Sequence, residues 1–171
     1  MPMMNIEYVK FQKKYQSQVE AMVFEGLKDT AKNDNEDVKN AINRYLKRSL
    51  NEDLGDIFNN YMKNGIFFLA LQRSSDMVLG SLGAEYIDGK QFRLKRLSVK
   101  IGFRGNGIAK NLLNQIETWV MKQNGTELIL GTSEIQRNAF KFWTSHGFGV
   151  DKTELSENGI KLFSLRKDLK L

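Results

Sequence analysis

Arg104-Gly105-Asn106-Gly107-Ile108-Ala109 combines a permanent cation, two glycines and the start of an apolar-periodic segment. Glycine lets a backbone approach a ligand closely and adopt positive φ. A helix that starts here leaves its first N–H groups without partners and turns its positive dipole end outward. The guanidinium of Arg104 adds charge at the same place. Together these residue types make a site for a phosphate or pyrophosphate group. Two familiar phosphate loops do not fit. A Walker loop requires Gly-x-x-x-x-Gly-Lys-Ser/Thr, and this loop has no Gly-Lys-Ser/Thr. A dinucleotide fingerprint requires Gly-x-Gly-x-x-Gly, but Lys110 stands where the third glycine belongs. Glu127 lies at about the distance of a ribose-binding acid, yet it opens a strand instead of closing one. The loop also follows a β-meander, not an N-terminal βαβ unit.

The elements that must position this loop are legible from periodicity. Alternation predicts a strand over residues 6–11. Val19, Met22, Val23 and Leu27 predict a helix over 15–30; Val38, Ile42, Tyr45, Leu46 and Leu50 predict another over 34–54. Residues 53–63 add a further helical piece, stopped by Asn64-Gly65. Three strands follow, over 66–72, 77–87 and 91–99, the second loosened by Gly80 and Gly83 and joined to the third at Asp88-Gly89. After the glycine loop a helix runs over 107–123, its apolar face built from Ile108, Leu112, Leu113, Ile116, Trp119 and Val120. A buried strand over 127–130 leads to Ser133, which caps a helix over 134–145 stopped by Gly147. Strands over 148–155 and 160–166 close the chain around Asn158-Gly159. The order is β-α-α-β-β-β-α-β-α-β-β, an α/β architecture with one mixed sheet between helical layers. The whole chain, 1–171, reads as one domain.

In that setting the loop resembles the Arg/Gln-x-x-Gly-x-Gly/Ala signature of the GNAT acetyltransferases. Arg96-Leu97-Ser98-Val99 resembles the end of that family's fourth strand, and the stretch from Leu130 through Thr132-Ser133, Gln136, Ala139 and Trp143 to Gly147-Phe148 resembles its fifth strand, fourth helix and terminal Gly-Phe. The Thr-Ser-x-x-Gln-x-x-Ala variant is similar to the branch that contains the N-acetyltransferase 8-like proteins. The likeness covers residues 67–148; earlier residues match in element order only.

The resemblance implies an acetyl-CoA-dependent N-acetyltransferase, in which a primary amine attacks directly within a ternary complex. It implies a V-shaped opening between the fourth and fifth strands. The N–H groups of Arg104, Gly105, Asn106, Gly107, Ile108 and Ala109 then hold the pyrophosphate, and the backbone around Leu97, Ser98 and Val99 pairs with the pantetheine arm. An N–H near Val99 polarises the thioester carbonyl. Gln136, Ala139, Phe142 and Trp143 complete the cofactor wall.

The chain departs from the family at the residues that move protons. Arg93 stands where many members carry a carboxylate, and Trp143 where they carry a tyrosine. Gln136 replaces a common asparagine. An indole N–H donates a hydrogen bond but is not a practical proton source. Glu85, at the end of the third strand, and Glu134 are the nearest carboxylates left as base. His146 stands at a helix end, where a cation favours the dipole. Glu85 and Trp143 are the candidate catalytic residues. The alternative is a CoA-binding regulator that kept the cleft and lost turnover.

Composition narrows the rest. The chain contains no cysteine, which excludes disulfides, thiolate metal sites and a cysteine nucleophile; no metal is expected. Net charge is +6, which suits anionic partners, but no block of five like charges forms a nucleic-acid tail. No apolar run reaches the roughly 20 residues that span a bilayer, and Met1-Pro2-Met3-Met4-Asn5-Ile6-Glu7 does not read as a signal peptide. These features predict a cytoplasmic protein with no nucleic-acid or membrane partner. Arg93, Lys95 and Arg96 crowd one strand, and alternation puts Arg93 and Lys95 on one face and Arg96 on the other. A cation beside the acceptor suits a small-molecule amine that bears a carboxylate. The oligomeric state stays open between monomer and homodimer.

Overall fold

The computed structural model describes residues 5–169. Residues 1–4, and with them most of the segment read for a signal peptide, lie outside the described residues. The strands are β1 (Ile6–Lys10), β2 (Ile66–Gln72), β3 (Met77–Tyr86), β4 (Gln91–Val99), β5 (Glu127–Ser133), β6 (Gly149–Leu155) and β7 (Lys161–Asp168). The helices are α1 (Gln16–Thr30), α2 (Glu36–Glu52), the short α3 (Ile57–Tyr61), α4 (Ile108–Lys122) and α5 (Arg137–Ser145). This is the expected element order, with the 53–63 piece divided into a 3₁₀ turn and α3.

The sheet order is β1-β2-β3-β4-β5-β7-β6. β2 explains the layering. Ile66, Phe68 and Ala70 enter one core cluster with α4 residues, while Phe67, Leu69 and Leu71 enter a second with α1 and α2 residues. A strand buried on both faces reads as a continuous apolar run, because successive side chains alternate sides. The helices therefore flank the sheet in three layers.

Two features of the sheet create the site. β4 and β5 are parallel, and they pair only at Gln91–Arg93 with Glu127–Ile129. Beyond Ile129, β5 stays with β7 as far as Ser133 opposite Leu162, so β4 and β5 part company and leave a cleft. The second feature is a bulge between Ser81 and Gly83 in the β3–β4 pairing, where Arg96 takes φ 64°. An extra residue in one strand re-aims the side chains beyond it.

Gly80 sits beside a register shift in the β2–β3 ladder, and it also makes room for α4. A Cβ there would stand 2.6 Å from Ile108 Cγ2, so its absence lets the first turn of α4 press onto the sheet. Ser133 does not cap a helix. Its backbone completes the β5–β7 ladder, and α5 starts later, after a turn closed by Gln136 N–H to Ser133 O.

Candidate active site in the β4–β5 cleft

A cavity of about 750 Å³ fills the cleft. Its floor is the glycine loop. Gly105 and Gly107 hold φ of 83° and 75°, and Gly107 is the N-cap of α4 with no side chain capping the helix. Among the described residues, no backbone hydrogen bond is donated by Arg104 through Lys110; Phe103 and Asn111, on either side, do donate. A run of unspent N–H groups at a helix start is an anion receptor. Arg104 lines the cavity and is steadied by Asp29 of α1, with Nη1 3.3 Å from Oδ2. Lys110, which stands where the dinucleotide pattern has its third glycine, adds a second cation there.

One wall is β4. Lys100 donates to Leu79 O, so Lys100 and Leu79 form a hydrogen-bonded pair of the antiparallel ladder. Hydrogen-bonding direction alternates along such a strand. The backbone groups of Val99, opposite Gly80, therefore point away from β3 and into the cleft, and those of Leu97 share that direction. The other wall is α5 and the end of β5, with Gln136, Ala139, Phe142 and the buried Trp143 lining the cavity. Thr132 Oγ1 donates to Gln136 Oε1 at 2.9 Å, which fixes that side chain. Leu97, Ser98, Val99, Arg104, Gly105, Gly107, Ile108 and Ala109 are thus brought together with the α5 residues around one space. Asn106 is not among the lining residues. Its side chain turns back to Phe103 O at 2.9 Å and braces the loop.

The proton-moving candidates fare differently. Trp143 lines the cavity, whereas Glu85 does not. Glu85 is occupied by Arg93 Nη1 at 3.3 Å and Lys95 Nζ at 3.4 Å. Glu134 accepts from Lys161 N–H at 2.7 Å and ties α5's approach to β7. His146 Nδ1 lies 2.8 Å from Phe142 O at the end of α5, outside the cavity lining.

Arg96 departs from the expectation that it faces away from Arg93 and Lys95. Its positive φ at the bulge breaks the alternation and turns it toward α2, the side that Lys95 also faces. There Nε donates to Asp53 Oδ2 at 3.0 Å, and Nη1 donates to Tyr45 Oη at 3.0 Å and Ser49 Oγ at 3.1 Å. Arg96 Nη2 and the Tyr61 hydroxyl also donate to Asp53. Burial opposes the charge on Asp53, but the hydrogen bonds from Arg96 and Tyr61 outweigh it and hold the carboxyl below its ordinary value. Burial, joined by the Asp53 charge, pushes the Tyr61 phenol well above its ordinary value.

These shifts set two edges to stability. A depressed carboxyl contributes stability above its unfolded value of 3.8 that is lost as pH falls through the folded value. A raised phenol contributes stability below 10.0 that is lost as pH rises further. Melting temperature against pH is expected to drop below about pH 4 and above about pH 10. Tyr61→Phe should flatten the alkaline drop, and an unchanged alkaline edge in that variant would refute the assignment.

Residues 29–169 match the family model described as an acetyltransferase (GNAT) domain. The chain belongs to the GNAT family. Among curated relatives of this GNAT chain, N-acetyltransferase 8B of Homo sapiens is 34% identical over 110 residues, 61% of this chain and 48% of the relative. N-acetylaspartate synthetase of Danio rerio is 35% identical over 114 residues, 64% of this chain and 40% of the relative. The chain thus matches half or less of these relatives' length. Two solved structures share the GNAT fold. A GNAT acetyltransferase from Staphylococcus aureus Mu50 superposes with TM-score 0.78 at 22% identity, covering 97% of this chain and 100% of that one. The PaiA N-acetyltransferase of Thermoplasma acidophilum, in complex with coenzyme A, gives TM-score 0.78 at 20% identity, with 96% and 99% covered. No helix among the described residues is long and apolar enough to cross a membrane.

Proposed function

We propose that this chain transfers the acetyl group of acetyl-CoA to a primary amine, by direct attack in a ternary complex. The observation that carries the reading is the run of unspent N–H groups from Arg104 to Lys110, opening on the cavity between the diverging strands. Gly105 and Gly107 leave that surface bare of side chains, which suits a pyrophosphate lying against it. Acetyl-CoA supplies the activated acyl carbon. The chain's own part is to hold the phosphates at α4, pair the pantetheine arm along Leu97 and Val99, and aim a β4 N–H at the thioester oxygen. Cytoplasmic acetyl-CoA would serve as donor.

The test is release of free thiol from acetyl-CoA against a panel of amino acids, polyamines and aminoglycosides. Release that depends on an added amine is expected. Binding of acetyl-CoA without release from any amine would favour a second reading, a CoA-binding regulator. That reading draws on Trp143, which has no acidic hydroxyl, and on Glu85, which is held by two cations. Trp143→Phe is expected to keep turnover within about threefold, because general-acid help is typically worth roughly 10²–10⁴-fold and the indole supplies none. A loss of kcat in that range, with acetyl-CoA affinity unchanged, would show that Trp143 does more than shape the wall.

The acceptor is proposed to carry a carboxylate. Arg93 and Lys95 line the cavity and share the single carboxylate of Glu85, which leaves the pair with a net positive charge. The relative named N-acetylaspartate synthetase leans the same way. A free amino acid is therefore expected to show a higher kcat/KM than its amide, by about tenfold for one desolvated charge contact. A polyamine or the amide outrunning the acid would contradict this.

A further inference from the structure

α1 and α2 both line the cavity, α2 through Tyr45 and Glu52. Tyr45, Ser49, Glu52 and Asp53 follow one another at i, i+4, i+7 and i+8, so they share one face of that helix. Three of them, Tyr45, Ser49 and Asp53, accept from Arg96. Tyr45 and Glu52 line the cavity. Five cations line it as well: Arg93, Lys95, Arg96, Arg104 and Lys110. Glu52 is the sole carboxylate among the described lining residues.

The nearby acids are all committed elsewhere. Asp53 is buried under Arg96 and Tyr61, Glu85 is shared by Arg93 and Lys95, and Asp29 pairs with Arg104 and Lys32. The Glu52 side chain makes no ion pair or hydrogen bond with any described residue, and it is exposed. A single free negative charge in a cavity of five positive ones is the place where a protonated amine gains most and is repelled least.

We infer that Glu52 is the catalytic carboxylate that receives the acceptor's ammonium group and takes its first proton; this rests on the acetyl-transfer reading above. An ammonium nitrogen has no lone pair, so it must lose a proton before it can attack. Glu52 accepts that proton and, open to water, passes it to solvent. The freed lone pair forms the C–N bond as the C–S bond of the thioester breaks. The second nitrogen proton ends on the departing thiolate, so coenzyme A leaves as a thiol and the products are the amide, the thiol and one proton in solution. Tyr45, held by Arg96 two turns of α2 away, walls the same compartment.

The experiment compares the parent with Glu52→Gln, Glu52→Asp and Glu85→Gln. It measures thiol release from acetyl-CoA with the best amine of the panel, calorimetric binding of acetyl-CoA, and melting temperature. Glu52→Gln is expected to lower the acceptor's kcat/KM about 100-fold, the low end for proton-transfer help. Both the kcat and the acceptor KM should worsen, while acetyl-CoA affinity and melting temperature hold. Glu52→Asp should recover part of the loss, because the charge is kept and only reach is lost. Glu85→Gln is expected to lose less kcat than Glu52→Gln, because Glu85 lies outside the cavity lining and is held by Arg93 and Lys95. Turnover by the parent with Glu52→Gln within twofold of it would overturn the role of Glu52 alone. A larger loss in Glu85→Gln than in Glu52→Gln would reassign the base to Glu85. No amine-dependent release by the parent would remove the acetyl-transfer reading, and this inference with it.

Discussion

Asp53→Asn is expected to lower the unfolding free energy by about 3–5 kcal/mol, the cost of leaving a buried charge without its partner. The side chains of Arg96 and Asp53 are 5% and 3% exposed, so water cannot replace the lost carboxylate. Tyr61, itself buried, must then compete with Arg96 for the one amide oxygen left. For a domain of this size the melting temperature should fall by on the order of 10 °C. Asp53→Leu combined with Arg96→Met should recover much of the loss, because well-packed apolar replacements for a buried pair are often neutral. Chemical denaturation of the parent, the single variants and the double variant reads this directly. A cost below about 1 kcal/mol for Asp53→Asn would mean that the pair does not hold the bulge. The effect reaches function because Arg96 directly precedes Leu97, whose backbone faces the cleft. A double variant that is stable yet turns over poorly would separate the aiming of β4 from its stability.

That network was the part of the molecule least visible in the sequence. Ile66–Gln72 and Gln91–Val99 were readable to the residue, because a run buried on both faces and a clean alternation are local signals. The glycine loop was readable for the same reason: its cation, its glycines and its helix start lie within six residues. Arg96 was misread because arginine carries no preference for positive φ, so nothing local marks a bulge there. Its partner Asp53 lies 43 residues earlier, across a 3₁₀ turn, α3 and two strands. Ser133 suits a cap by its type, but pairing with Leu162 claims its backbone first. Glu52 carries no local signal, because a glutamate near a helix end is ordinary surface chemistry. Only the fold shows that Glu52 lines the same cavity as Arg93 and Lys95. Local chemistry thus marks the glycine-loop end of the cleft, whereas the residues proposed for the acceptor come from α2 and β4, which no sequence window spans together.

Gly107→Val is expected to weaken acetyl-CoA binding by about 100-fold or more, which is roughly 2.7 kcal/mol. Gly107 holds φ 75° as the N-cap of α4, a conformation in which a β-branched residue is a true outlier. Nothing in the protein occupies the space a side chain would take; the nearest atom to an added Cβ is Asn111 Nδ2 at 4.0 Å. Strain of about 1–3 kcal/mol therefore falls on the loop backbone, and relieving it re-aims the N–H groups that open on the cavity. The valine side chain also stands over the surface on which a pyrophosphate would lie. Arg104→Ala should cost less, about tenfold, because a half-exposed guanidinium already shared with Asp29 gives a screened contact. Gly89→Val is the control: it sits in the β3–β4 hairpin without positive φ, nothing lies within 4 Å of an added Cβ, and binding should not change. Calorimetric titration with acetyl-CoA, beside a melting curve for each variant, separates lost binding from lost folding. Affinities within twofold of the parent in both Gly107→Val and Arg104→Ala would place the cofactor elsewhere in the molecule, and the chemistry argued for the β4–β5 cleft would have to move with it.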